Sequence, residues 1–164
     1  MTIFVKNKHT LEIDEFKFRC CIGKNGSTKY KKEGDKKTPK GTFQVENLYF
    51  RKDRLAKPLT LLKCIEIKKD MGWCDDLHFP KKYNKILKIE KKINHEKLKR
   101  KDNKYDFLIP IKYNFKKPVT GKGSCIFIHL TKDYKPTAGC IALKEKDFLI
   151  MLKLITKKTK IKIF

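Results

Sequence analysis

Arginine and acidic side chains are both scarce. Of 42 Lys and Arg residues only four are Arg (Arg19, Arg51, Arg54 and Arg100), and 18 Asp and Glu leave a formal net charge of +24. A surplus of this size attracts polyanions in general. Base and phosphate recognition, however, draws on bidentate arginine, and the lysines are scattered rather than massed in one stripe. The balance reads as a solvated basic surface with no specific nucleic-acid face. Long apolar runs are also missing, which excludes a helical membrane span, and the start "MTIFVKNKHTLEIDEF" has no apolar stretch of signal-peptide length. The six cysteines (Cys20, Cys21, Cys64, Cys74, Cys125 and Cys140) contain no C-x-x-C pair, so a zinc site is not expected. The adjacent Cys20 and Cys21 are poorly placed for an ordinary bridge, and a chain of 164 residues is long enough to hold itself together by its core. Most of these thiols read as buried small hydrophobes.

The length fits one domain over residues 1–164. Within it, "TIFVKN", "HTLEIDEFKFRCCIG" and "GTFQVENLYF" place apolar residues two apart and end in turn residues, the pattern of half-buried strands. "GKNGSTKYKKEGDKKTPKG" (23–41) reads as an exposed, mobile loop or a long hairpin connection. Further on, "LTLLKCIEI" suggests a strand and "EKKINHEKL" a short turn or helix. "KYDFLIPIKYNF" and "SCIFIHL" are apolar runs consistent with buried strands, with Pro110 at a strand end or irregularity because it cannot donate to a ladder. In "KEKDFLIMLKLITKK", Phe148, Met151, Leu152 and Ile155 recur at helical spacing, with Glu145 and Asp147 early and lysines late, as the helix dipole favours. "TKIKIF" alternates as a closing strand. Many short strands and one late helix make a compact, mainly β domain.

The chemistry-bearing stretch is "FIHLTKDYKPTAGCIAL" (127–143), in which His129 precedes Cys140 by eleven residues and Gly139 precedes it directly. A thiol becomes a useful nucleophile when a base raises its thiolate fraction, and histidine is the usual agent near neutral pH. A strand ending at His129, a turn through Pro136 and a return can set the two side chains together. Gly139 lets the backbone bend and a carbonyl approach, and the N–H groups at Cys140 and its neighbour then point toward a developing oxyanion. On spacing alone, a structural His and a structural Cys remain an alternative.

The same stretch, taken with "TPKGTF" (38–43), resembles the L,D-transpeptidase catalytic domain of YkuD type. Its signature is a His, a short stretch, then Ser or Thr, a variable residue, Gly, Cys and an aliphatic residue; His129, Thr137, Gly139, Cys140 and Ile141 match it. Thr38, Pro39, Gly41 and Phe43 match a T-P-x-G-x-F segment of that family. "GWCDD" (72–76), "GKGSCIFIH" (121–129) and "PTAGCIAL" (136–143) extend the resemblance to a compact branch over roughly residues 19 to 164.

The resemblance implies a β-sandwich or barrel of mixed strands with a few short helices, one near the C-terminus. It implies that Cys140 attacks the amide carbonyl after the diaminopimelate of a peptidoglycan stem peptide, releasing D-alanine and leaving an acyl-enzyme for an amine acceptor, with no metal or organic cofactor. His129 is then base and acid, Gly139 contributes to the oxyanion hole through its backbone, and the Leu130 carbonyl orients the imidazole. Ala138 and Ala142 stand where many members carry His and Arg, which bears on the choice of acyl donor. Thr137, Ala138, Trp73, Asp75 and His95 are candidate substrate contacts, with a buried Trp beside an Asp-capped turn as the alternative for "GWCDD". Tyr105 and Asp106 are candidates for the opposite wall. A monomer in the periplasm or cell envelope is expected from the family, with the cytoplasm as the alternative because no leader is visible. The competing readings are an L,D-carboxypeptidase, with water as acceptor, and a non-catalytic basic module that holds polyanions.

Overall fold

The computed structural model describes residues 1–164. The first strands form a meander: β1 (Thr2–Lys6), β2 (Thr10–Ile13) and β3 (Phe16–Arg19). The turns between them put Asn7 and Asp14 at φ 54° and 53°, a left-handed conformation that Asn and Asp tolerate better than most residues. Next come the two-residue strands β4 (Ser27–Thr28) and β5 (Thr38–Pro39), then β6 (Gly41–Gln44), β7 (Leu48–Phe50) and β8 (Cys64–Glu66). The middle of the chain supplies β9 (Met71–Cys74), β10 (Ile86–Lys88), β11 (His95–Lys97) and β12 (Phe107–Pro110). The last part holds β13 (Phe127–Leu130), β14 (Ile141–Leu143), helix α1 (Glu145–Leu154) and β15 (Lys160–Ile163).

Two five-stranded mixed sheets carry the fold, in the orders β3-β2-β1-β15-β6 and β14-β13-β12-β7-β8, with a three-stranded sheet β10-β9-β11 and the short pair β4-β5 beside them. The alternating residues Ile3, Val5, Leu11, Ile13, Ile161 and Ile163 turn one face of the first sheet into the main core. From the second sheet Ile109, Ile128, Leu130, Ile141 and Leu143 enter the same core, and α1 closes it with Phe148, Met151 and Leu152. Burying a side chain of this size stabilises the fold by roughly 1.5–3 kcal/mol. The helix has no side-chain cap at Lys144 but carries Glu145 and Asp147 in its first turn and Lys153 in its last, matching its dipole.

The mainly β architecture and the C-terminal helix agree with the sequence pattern; a single α-helix stands where a few short ones are expected. "EKKINHEKL" is not helical: His95–Lys97 is an edge strand paired with β9. Its register places His95 opposite Cys74 and Lys97 opposite Gly72, and a Cβ on Gly72 would lie 2.8 Å from the His95 ring. The 23–41 segment is exposed at Lys24, Lys29, Tyr30, Lys32 and Lys40, as its composition predicts, but is anchored to the fold at other points. Thr38 is fully buried, the Lys31 side chain is 3% exposed and held by Asp35 at 2.7 Å, and the segment packs behind the turn that carries Gly139.

Candidate active site

The period of two along β13 sorts its side chains. Ile128 and Leu130 enter the main core, whereas Phe127 packs in a second cluster with Trp73, Tyr105, Leu108 and Cys140. His129 projects on the same face as Phe127. β14 runs parallel to β13 with Ile128 opposite Ile141 and His129 opposite Ala142, so Cys140, two residues before Ala142, shares that face one step below the histidine. Same-face diagonal neighbours on adjacent strands lie roughly 7–8 Å apart between Cα atoms, within reach of a side-chain rotation. Both residues line one cleft of about 410 Å³, together with Ala138, Thr137, Tyr105, Arg100 and Lys104.

The thiol is hydrogen-bonded to backbone groups and not to the imidazole. Cys140 Sγ donates to the Cys125 carbonyl at 3.1 Å and accepts from the Phe127 N–H at 3.4 Å. Cys125 sits at φ 54°. Burial pushes the Cys140 thiol up to about 12, against a smaller lowering by the Phe127 N–H. Burial also pulls His129 down to about 4, opposed by its backbone hydrogen bond and reinforced by the charges of Lys104 and Arg100. Near neutral pH the pair is therefore an uncharged thiol and an uncharged imidazole.

The orientation of the imidazole is fixed. His129 Nδ1 lies 2.8 Å from the Leu130 carbonyl oxygen; a carbonyl only accepts, so Nδ1 carries the proton and Nε2 offers its lone pair to the cleft. The Leu130 N–H in turn donates to the Lys104 carbonyl at 2.9 Å. Tyr105 packs edge-on against the His129 ring at 5.3 Å between centroids, and the Arg100 guanidinium lies 5.1 Å over the Tyr105 ring. Sequence reasoning reached Tyr105 only as a residue of the opposite wall, because its contact with His129 depends on pairing of β12 with β13. Asp106 is elsewhere, bound to Arg54 at 2.8 Å.

The glycine turn is held from two sides. Thr137 Oγ1 donates to the Cys140 carbonyl at 2.6 Å and accepts from the Gly139 N–H at 3.1 Å. Thr38 Oγ1 donates to the Gly139 carbonyl at 2.8 Å and accepts from the Gly23 N–H at 2.9 Å. Both backbone groups of Gly139 are thus engaged within the protein, whereas the Cys140 N–H makes no hydrogen bond within the protein. Gly139 is needed for its conformation. Its φ is +147°, and a Cβ there would stand 3.0 Å from the Lys37 carbonyl oxygen.

Three other candidates lie outside this cleft. Trp73 is buried behind it, its indole N–H donating to Asn84 at 2.9 Å and its ring T-shaped against Phe127 at 5.2 Å. Asp75 and His95 line a separate cavity of about 520 Å³ with Glu33 and Asp76. There Asp76 accepts from the backbone N–H groups of His78 and Asn94, the Asp-capped turn of the alternative reading. Burial and the neighbouring Glu33 charge raise the Asp75 carboxyl. No cluster of three His, Cys, Asp or Glu side chains suited to a metal ion is present, and no helix is long and apolar enough to cross a membrane.

Comparison with solved structures finds a likeness to "Structure of Bdellovibrio bacteriovorus Bd1075", with a TM-score of 0.48 and 16% sequence identity over 99% of this chain and 47% of that one. This chain thus spans about half of that one's length. A comparison with curated proteins finds no match. The family model described as YkuD, L,D-transpeptidase catalytic domain, matches residues 1–163, nearly the whole sequence that carries the His129 strand and the Gly139-Cys140 turn, and the chain belongs to that family.

Proposed function

We propose that the chain is a single catalytic domain over residues 1–164 that transfers acyl groups of peptidoglycan stem peptides through a thioester on Cys140. Supporting this most directly is the single cleft shared by Cys140 and by a histidine whose Nδ1–H is committed to the Leu130 carbonyl, leaving Nε2 as the base. Rotation about the Cys140 side chain frees Sγ from the Cys125 carbonyl and brings it toward Nε2. The sulfur attacks the amide carbonyl that follows diaminopimelate while Nε2 takes the thiol proton, and the Cys140 N–H donates to the oxyanion. The imidazolium then protonates the departing amine and D-alanine leaves. The acceptor amine reverses the sequence: His129 removes its proton, it attacks the thioester, and the thiol is regenerated. Water in the acceptor's place would give L,D-carboxypeptidase activity through the same acyl-enzyme. A monomer in the cell envelope, its basic surface resident near anionic wall polymer, fits this reading.

Mass spectrometry after incubation with a tetrapeptide stem, or with a carbapenem as acylating agent, tests it. The expected result is a covalent adduct on Cys140 that vanishes in Cys140→Ala. Labelling of another residue, or none, would overturn the reading; polyanion binding undiminished in Cys140→Ala, with no adduct ever formed by the native chain, would favour the non-catalytic module.

A further inference from the structure

The cations of the cleft are unequally paired. Three cations line it, Arg100, Lys104 and Lys135, against two carboxylates, Glu96 and Asp133. Arg100 takes Glu96 at 2.9 Å, and Lys135 takes Asp133 at 3.0 Å. Asp102, a carboxylate beside the cleft, is gripped by Arg100 through Nε at 2.9 Å and Nη2 at 2.7 Å, and it accepts from the Lys104 backbone N–H at 3.2 Å. Lys104 therefore keeps an ammonium with no carboxylate partner, at the mouth of the cleft that holds the nucleophile.

Its position is fixed by the site itself. The Lys104 carbonyl accepts from the Leu130 N–H, and the next residue, Tyr105, packs against His129. Across the cleft Ala142 is fully buried and opposite His129 in the sheet, so β14 presents a methyl group there and no charge. An anionic group entering beside the imidazole meets Lys104 as its one unengaged cation.

We propose that Lys104 is a specificity-determining residue that receives a carboxylate of the acyl donor, an assignment that rests on the reading of the cleft as a stem-peptide acyltransferase site. Two of the carboxylates on donor peptides of that class belong to the residues joined by the scissile amide, one on the diaminopimelate side chain and one on the terminal D-alanine. Docking of either at Lys104 also offsets one of the charges that oppose protonation of His129, burial remaining the main cause.

The test measures acylation kinetics of the native chain, Lys104→Gln and Lys104→Arg with the free-acid tetrapeptide and with two analogues, each amidated at one of the carboxylates. Lys104→Gln is expected to raise KM for the free acid about tenfold, the usual order for a lost charge-assisted contact, with kcat little changed, and Lys104→Arg to restore it. For at least one amidated peptide the native chain and Lys104→Gln should become equal, which identifies the carboxylate. An unchanged KM for the free acid, or an equal rise for all three peptides, overturns the assignment. A native chain that forms no adduct with any peptide or with a carbapenem removes the acyltransferase reading and this assignment with it; normal adducts unaffected at Lys104 remove this assignment alone.

Discussion

Thr38 Oγ1 donates to the carbonyl of Gly139 at 2.8 Å across 101 residues of sequence, and so joins the "TPKGTF" and "PTAGCIAL" segments. The hydroxyl also accepts from the Gly23 N–H, so one fully buried side chain satisfies a donor and an acceptor of the backbone. Thr38→Val keeps the shape and removes both bonds. Leaving buried backbone groups unpaired costs about 1–3 kcal/mol, and the loss falls on the turn that aims Cys140. The expected outcome is a lower urea midpoint and slower acylation of Cys140, with Thr38→Ser close to the native chain. Equal midpoints and acylation rates for Thr38→Val and the native chain would count against this role.

The same bond explains what a linear reading conveys. The strands around Ile3, Leu11, Ile128 and Ile161 are legible because a period of two with apolar residues is a local property, and α1 because its apolar positions fall on one face. His129, Gly139 and Cys140 are legible as candidates because they lie within eleven residues of one another, and the structure places His129 and Cys140 in one cleft. Tyr105 and Lys104 owe their place to β12 pairing with β13, and Lys31 and Thr38 within the 23–41 segment owe their burial to docking behind Gly139. The segment's high Lys and Gly content reads as solvated loop, which its exposed residues are, but composition carries no trace of that docking. Trp73, Asp75 and His95 fall outside the cleft for a related reason: β9 and β11 belong to the separate small sheet, which turns Asp75 and His95 toward another cavity.

Gly139→Ala tests conformation against chemistry. With φ at +147° and the Lys37 carbonyl 3.0 Å from the new Cβ, an L side chain is strained and crowded by backbone, which yields less than a flexible side chain. A cost of about 1–3 kcal/mol is expected from the conformation alone. Acylation should fall by more than stability does, because relaxation of the turn moves the Cys140 N–H. Wild-type acylation in Gly139→Ala would show that the turn tolerates a side chain and that the geometry is not needed.

The resting position of the thiol separates two histidine roles. Because Cys140 Sγ is bonded to the Cys125 carbonyl and its pKa is pushed up to about 12 by burial, iodoacetamide at pH 7 should alkylate it much more slowly than an ordinary cysteine of pKa about 8.5. His129→Ala should leave that slow rate nearly unchanged, since no ion pair exists to be broken. Acylation by a tetrapeptide stem should instead fall by roughly 10²–10⁴, the usual contribution of a general base. A His129→Ala chain whose alkylation and acylation drop together would mean that a thiolate–imidazolium pair is already present in the free protein.

Burial of His129 also makes the fold sensitive to acid. Its folded pKa, pulled down to about 4 first by burial, lies below the ordinary value of 6.5. Between these values the unfolded chain binds a proton that the folded chain refuses, so stability is fully present above pH 6.5 and is lost as pH falls toward 4, below which no further loss comes from this group. The span corresponds to a loss on the order of 3 kcal/mol. His129→Gln, which cannot titrate, should flatten this part of the stability curve measured by urea unfolding, even if its stability at pH 7 is lower. Carboxylates held down by ion pairs, such as Asp102 beside Arg100, lose their contribution at lower pH, near their own ordinary range around 4 and beneath it. The histidine component is therefore the difference between the two chains from pH 6.5 to 4, and a constant difference across that window would mean that His129 is protonated as readily in the fold as in water.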